Sequence, residues 1–166
     1  MLPSLNHRSI AAIGQLTPRE VDAVLASART LKGAAAAGRV QPLLRGRNLA
    51  LMCEQQGEPD AALFHRAATG LGAHVSLVRP TPDELATPSD VKHTAHVLGR
   101  LYDGIECQGL PAELVSSLDR DAGVPVFDGL ACAQHAGAEL ARLLGSGNEA
   151  DDRLFVLQAL LVSTIA

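Results

Sequence analysis

With 166 residues, 47% of them apolar, the chain has material for one domain whose core stands without disulfides or metal. Aromatics are only 2%, and 14 basic against 18 acidic residues give a net charge of −4, so neither base stacking nor phosphate attraction favours a nucleic-acid partner. No apolar run is long enough to span a bilayer and the first residues lack a signal-peptide pattern, so the expected setting is the cytoplasm, with no membrane partner.

Thr17-Pro-Arg-Glu20 is a capping box with proline at the first helical position, and it opens an alanine-rich helix to about residue 37, closed by Gly38. After Pro42 and the basic turn at 45–47, residues 48–53 read as a buried strand, followed by a helix over 59–70. A second short strand is predicted over 73–78, then a loop rich in proline over 79–88. Ser89 and Asp90 are read as the cap of a helix through 101, followed by a strand over 104–107, a helix over 111–121 and a strand over 124–127. That βαβαβαβ alternation predicts an α/β fold of three layers, a four-stranded parallel sheet between helices, because short right-handed crossovers allow little else. A helix over 134–144 follows, a Gly/Ser/Asn break, and a last helix starting at Asp151 and Asp152, so apolar around its circumference that it must be buried.

Cys53, Cys107 and Cys132 are odd in number and irregular in spacing, which argues against a disulfide framework. His93 and His96 on one helix, or Cys132 with His135, lack the surrounding pattern of a zinc site, so no metal is expected, and nothing calls for a cofactor. Cys107 has no identifiable base beside it and is read as a structural thiol.

Several runs resemble bacterial ornithine carbamoyltransferases, specifically their carbamoyl-phosphate-binding domain: Thr94-Ala-His-Val-Leu-Gly-Arg-Leu-Tyr-Asp-Gly-Ile-Glu106, Ala122-Gly-Val-Pro-Val-Phe-Asp-Gly-Leu130, and His135 with Leu140-Ala-Arg-Leu-Leu144. Upstream, 49–54 and 64–74 fall into the same register, and 152–165 looks like the family's last helix, which crosses back onto the first domain. The resemblance implies a single domain over 1–166, with a core over 1–144, a linker over 145–150 where the amino-acid-binding domain would lie, and a C-terminal helix over 151–166. It also implies a homotrimer.

In the family a Ser-Thr-Arg-Thr-Arg turn clasps the phosphate; the matching positions here are Gly57, Glu58, Pro59, Asp60 and Ala61. Both guanidinium groups are absent, Pro59 lacks a backbone donor, and two carboxylates face the expected ligand position. Each like-charge contact at about 4 Å would cost on the order of several kcal/mol for a dianion, against about 0.3–1 kcal/mol from the helix dipole. A further family arginine corresponds to Gln108, the glutamine of a loop reaching a neighbouring subunit to Glu84, and of the family's His-Pro-Cys/Thr-Gln motif only His135 remains, itself read as a helix-start residue kept for a local hydrogen bond. Asp103 is expected to serve the fold. These residues make a vestigial ligand site with no catalytic residue. The expected function is a carbamoyltransferase-like pseudoenzyme, an oligomeric binding or regulatory module. The alternatives are a divergent enzyme or sensor for an amino-acid-like, cationic or neutral ligand, and a module that associates with a full-length transferase.

Overall fold

The computed structural model describes residues 14–54 and 57–166; the N-terminal segment read for a leader lies outside them. In chain order come α1 (Pro18–Ala36), β1 (Asn48–Met52), α2 (Pro59–Gly70), β2 (His74–Leu77), a 3-10 turn (Pro82–Leu85), α3 (Pro88–Leu101), β3 (Gly104–Cys107), α4 (Ala112–Ala122), β4 (Val126–Asp128), α5 (Ala136–Leu144) and α6 (Glu149–Ile165). The four strands pair in parallel in the order β2-β1-β3-β4, with Leu49 opposite Gly104 and Ile105 opposite Val126. The expected three-layer α/β fold is therefore present.

Because side chains alternate along a strand, β1 feeds both layers. Leu49 and Leu51 join the core formed with α1, α2, α5 and α6, around Phe64, Phe127 and Leu160. Ala50 and Met52 turn the other way and pack with Ile105, Cys107 and Val126 against Val91, Ala95 and Leu98 of α3 and Val115 and Leu118 of α4. The close approach of α3 to α4 depends on Gly99, where an added Cβ would lie 1.7 Å from the carbonyl oxygen of Ala122.

α6 is buried along most of its length, from Leu154 through Ile165, and packs on α1, α5 and α2, as the apolar circumference predicted. At the junction between α5 and α6, Asp152 accepts hydrogen bonds from the Ser146 backbone N–H at 2.9 Å and from Lys32 of α1 at 3.1 Å. Burial raises the Asp152 pKa, but its bonds to Ser146 and Lys32 outweigh this and hold it below the usual carboxylate range.

Several boundaries differ from the sequence reading, each for a local reason. α3 is capped by Thr87, whose hydroxyl accepts from Asp90 N–H while Asp90 accepts back from Thr87 N–H, so Asp90 is the third helical residue and Ser89 is inside the helix. α6 begins at Glu149 under an Asn148 cap rather than at Asp151, which shortens the connection to 145–148. β4 begins at Val126, because Pro125 has no N–H and joins only through its carbonyl, which accepts from Ile105. α5 starts at Ala136, two residues later than expected, with His135 as its cap.

Candidate functional site

β1 delivers its carboxyl end to Cys53 and, after the turn, to α2, placing Gly57–Ala61 at the edge of the sheet where ligands bind in such folds. Glu58 is the N-cap of α2, exposed and without a side-chain capping bond, and Pro59 is the first helical residue. Ala61 is only 2% exposed and faces the core beside Phe64, so an arginine there would have to displace packed side chains.

Asp60 departs from the sequence reading of a turn without cations. Arg153, projecting from α6, stands 3.5 Å from the Asp60 carboxylate and donates to the carbonyl of Ala131 at 2.8 Å. A residue separated from Asp60 by most of the chain thus neutralises one of the two acids. The sequence carried one sign of it, a single base between the acidic first turn and the apolar body of the helix, but no indication of its partner. Arg79 also lies close enough to Cys53 to favour its thiolate, although burial keeps that thiol's pKa raised.

The next strand brings Gln108 to the same edge. The residue is buried, and neither amide atom makes a hydrogen bond of ordinary geometry among the described residues, although the amide lies near enough to the Glu106 carboxylate to favour its charged form. The N–H of Gln108 is used, donating to Met52. Two residues earlier, Glu106 is fully buried; its carboxylate accepts from the N–H groups of Leu130 at 2.8 Å and Ala131 at 3.1 Å, holding the segment that follows β4. Burial pushes its pKa up to about 8, against the lowering effect of those backbone bonds and of the Gln108 amide. Sequence reasoning did not single Glu106 out, although an acid inside a four-residue apolar strand was the available signal.

Beyond that segment, His135 caps α5: its Nδ1 accepts from Gly137 N–H at 3.0 Å. The ring is therefore neutral with its proton on Nε2, and burial lowers its pKa while the Asp128 charge raises it. Glu84 is not gathered with these residues. It closes a capping box with Thr81, accepting from Thr81 N–H at 2.6 Å, and lines a separate groove of about 520 Å³ with Arg79, Asp90 and His93. Asp103 does serve the fold, accepting from Asn48 N–H at 2.9 Å and Arg47 at 3.0 Å.

Chemically the edge is poorly armed. Burial, with Glu106 and Asp128 adding to it, pushes Cys107 up to about 12, and burial with the neighbouring Asp60 carboxylate does the same to Cys132. Both thiols are thus protonated near neutral pH. His135 already spends one ring nitrogen on its helix. Among the described residues no three His, Cys, Asp or Glu side chains cluster for a metal ion.

Residues 8–144 match the model of a protein family described as aspartate/ornithine carbamoyltransferase, carbamoyl-P binding domain. The chain belongs to that family. It is 38% identical over 141 residues to an ornithine carbamoyltransferase of Actinobacillus pleuropneumoniae, covering 85% of this carbamoyltransferase-family chain and 42% of the relative. An ornithine carbamoyltransferase of Cutibacterium acnes is 37% identical over the same length. Among solved structures, an ornithine carbamoyltransferase from Pyrococcus furiosus superposes with a TM-score of 0.72 at 25% identity, over 85% of this chain and 45% of that one. A putative aspartate carbamoyltransferase of Leishmania major, at 21% identity and a TM-score of 0.71, shares the fold. The chain therefore spans less than half the length of these relatives.

Proposed function

We propose that this carbamoyltransferase-like domain does not transfer carbamoyl groups and acts instead as an oligomeric binding or regulatory module. The observation that carries the reading is the Gly57–Ala61 turn, where Pro59 and the core-facing Ala61 stand at the two positions at which the resemblance expects arginines. Phosphate departure needs a preorganised cationic clamp, and positioning an amine nucleophile needs a second wall to the site. The connection over 145–148, fixed through Ser146 and Asp152, takes the place the acceptor-binding domain would have on this reading. A homotrimer, or association with a full-length carbamoyltransferase through the shared surface, follows from the family resemblance. Three free thiols suit a cytoplasmic setting.

A second reading, a site for a neutral or cationic small molecule at the same edge, is favoured by the buried amide of Gln108, which has only the Glu106 carboxylate near it and makes no hydrogen bond of ordinary geometry among the described residues. The two separate by thermal shift with carbamoyl phosphate, inorganic phosphate, ornithine and polyamines, together with an assay for citrulline. A ligand present at 100 times its Kd should add about 2.7 kcal/mol of stability. The module reading expects no citrulline and no shift with carbamoyl phosphate or phosphate. Citrulline production by the pure protein refutes it, and a shift with ornithine or a polyamine alone favours the second reading.

A further inference from the structure

A trough on the outer face of the helical layer is unlike the rest of this acidic chain. It consists of two cavities, about 250 and 290 Å³, that share Arg66 and follow α2 between Pro59 and Leu71. Apolar walls come from Leu63 and Phe155, and Val40, 79% exposed, stands at one end. Neither cavity has a carboxylate in its lining, although the chain as a whole carries a charge of −4. Arg39 and Arg66 are exposed, and among the described residues neither forms an ion pair. Two unpaired guanidinium groups over an apolar floor present one sign of charge to whatever lies there.

We propose that this trough docks an acidic amphipathic helix of a partner protein. The 12 residues of α2 rise roughly 18 Å, the length of about three turns of a docked helix, and helix-in-groove recognition needs an apolar stripe with flanking charge of the opposite sign. The chain's own first 13 residues do not complement it: they include Arg8 and His7 and no acid. The proposal goes beyond the reading of the sheet edge and does not depend on it.

The test uses a fluorescein-labelled 18-residue peptide of leucine and glutamate, with leucine on one helix face, and a counterpart with lysine in place of glutamate. The full chain is expected to bind the acidic peptide in the micromolar range, more weakly as salt rises, and not to bind the lysine counterpart. The Arg39→Glu/Arg66→Glu variant should bind at least tenfold more weakly with an unchanged circular dichroism spectrum and Tm, since both side chains are exposed. Four results overturn the proposal: no binding of the acidic peptide, equal binding of the lysine peptide, full binding by the double variant, or capture by phosphatidylglycerol vesicles in place of the peptide. Self-association lost in the double variant would also overturn it, by making a second copy the occupant.

Discussion

Replacing Glu106 by glutamine tests whether the buried carboxyl of β3 is held protonated. Its pKa stands at about 8 in the folded chain against an ordinary value of 4.5, so between these values the folded state holds a proton that the unfolded chain has released. Its contribution to stability is complete below 4.5 and is lost as pH rises through 8. His135 also titrates near the lower end of this range, but it does so equally in parent and variant and drops out of their difference, so pH 6.5 serves as the starting point. From there to pH 8 one extra bound proton lowers the unfolding free energy by about 1.4 kcal/mol per pH unit, on the order of 2 kcal/mol in all. Glutamine cannot titrate. Its carboxamide oxygen can accept from one of the Leu130 and Ala131 N–H groups, but its NH2 opposes the other, which costs about 1–3 kcal/mol. The variant should therefore be less stable than the parent at pH 6.5, with a gap that narrows by about 2 kcal/mol towards pH 8.5. Urea unfolding followed by circular dichroism measures this directly, the chain having no tryptophan. Groups elsewhere cancel in the difference. A gap that stays constant or widens with pH would mean that Glu106 is ionised throughout and that its two backbone bonds outweigh burial.

Gly99→Ala should lower stability by about 3 kcal/mol or more, since the new methyl collides with the Ala122 carbonyl and the roughly 1 kcal/mol gained in helix propensity cannot offset it. Unfolding midpoints for the two proteins decide the matter, and an alanine variant as stable as the parent would refute the close α3–α4 approach. Asp152→Ala should cost about 2–4 kcal/mol by stranding the Ser146 N–H and leaving Lys32 without its carboxylate. Because the Asp152 pKa is depressed, the parent's advantage should be present above pH 3.8 and shrink as pH falls through the folded value; the difference in unfolding free energy at pH 7 and pH 3 is the readout.

The layer order was legible in the sequence because each element announces its environment. Residues 48–53 read as a buried strand and are buried from Leu49 on, and the alternation of short strands with crossover helices left a parallel sheet as the economical arrangement. Boundaries were less legible where two capping signals compete. Ser89-Asp90 and Thr87-Pro88 both look like helix starts, and the structure chooses the pair that satisfies two N–H groups reciprocally. At the junction before α6, Asn148 offered the same kind of cap three residues before Asp151. The candidate site was legible position by position and not as a constellation. A one-dimensional pattern contains no distance between Asp60 and Arg153, nor between Glu106 and the N–H groups of 130 and 131.

Those distances change the physical account of the turn. Read along the chain, Glu58 and Asp60 form a repulsive pair whose charge alone would keep a dianion out. In the folded protein Asp60 faces Arg153 at 3.5 Å, so from an incoming anion's position much of its field is cancelled, whereas Glu58 forms no ion pair among the described residues. An exposed carboxylate is screened by water and salt, and its repulsion is correspondingly modest. The stronger obstacle is a shortage of donors. Pro59 contributes no N–H, Gln108 brings an uncharged amide where the resemblance expects a guanidinium, and Ala61 turns its side chain into the core. Arg153 cannot readily fill the gap, since it already donates to the Ala131 carbonyl and faces the Asp60 carboxylate. On the proposed reading, in which this edge does not hold phosphate, what the site does not offer explains that better than the acids it carries.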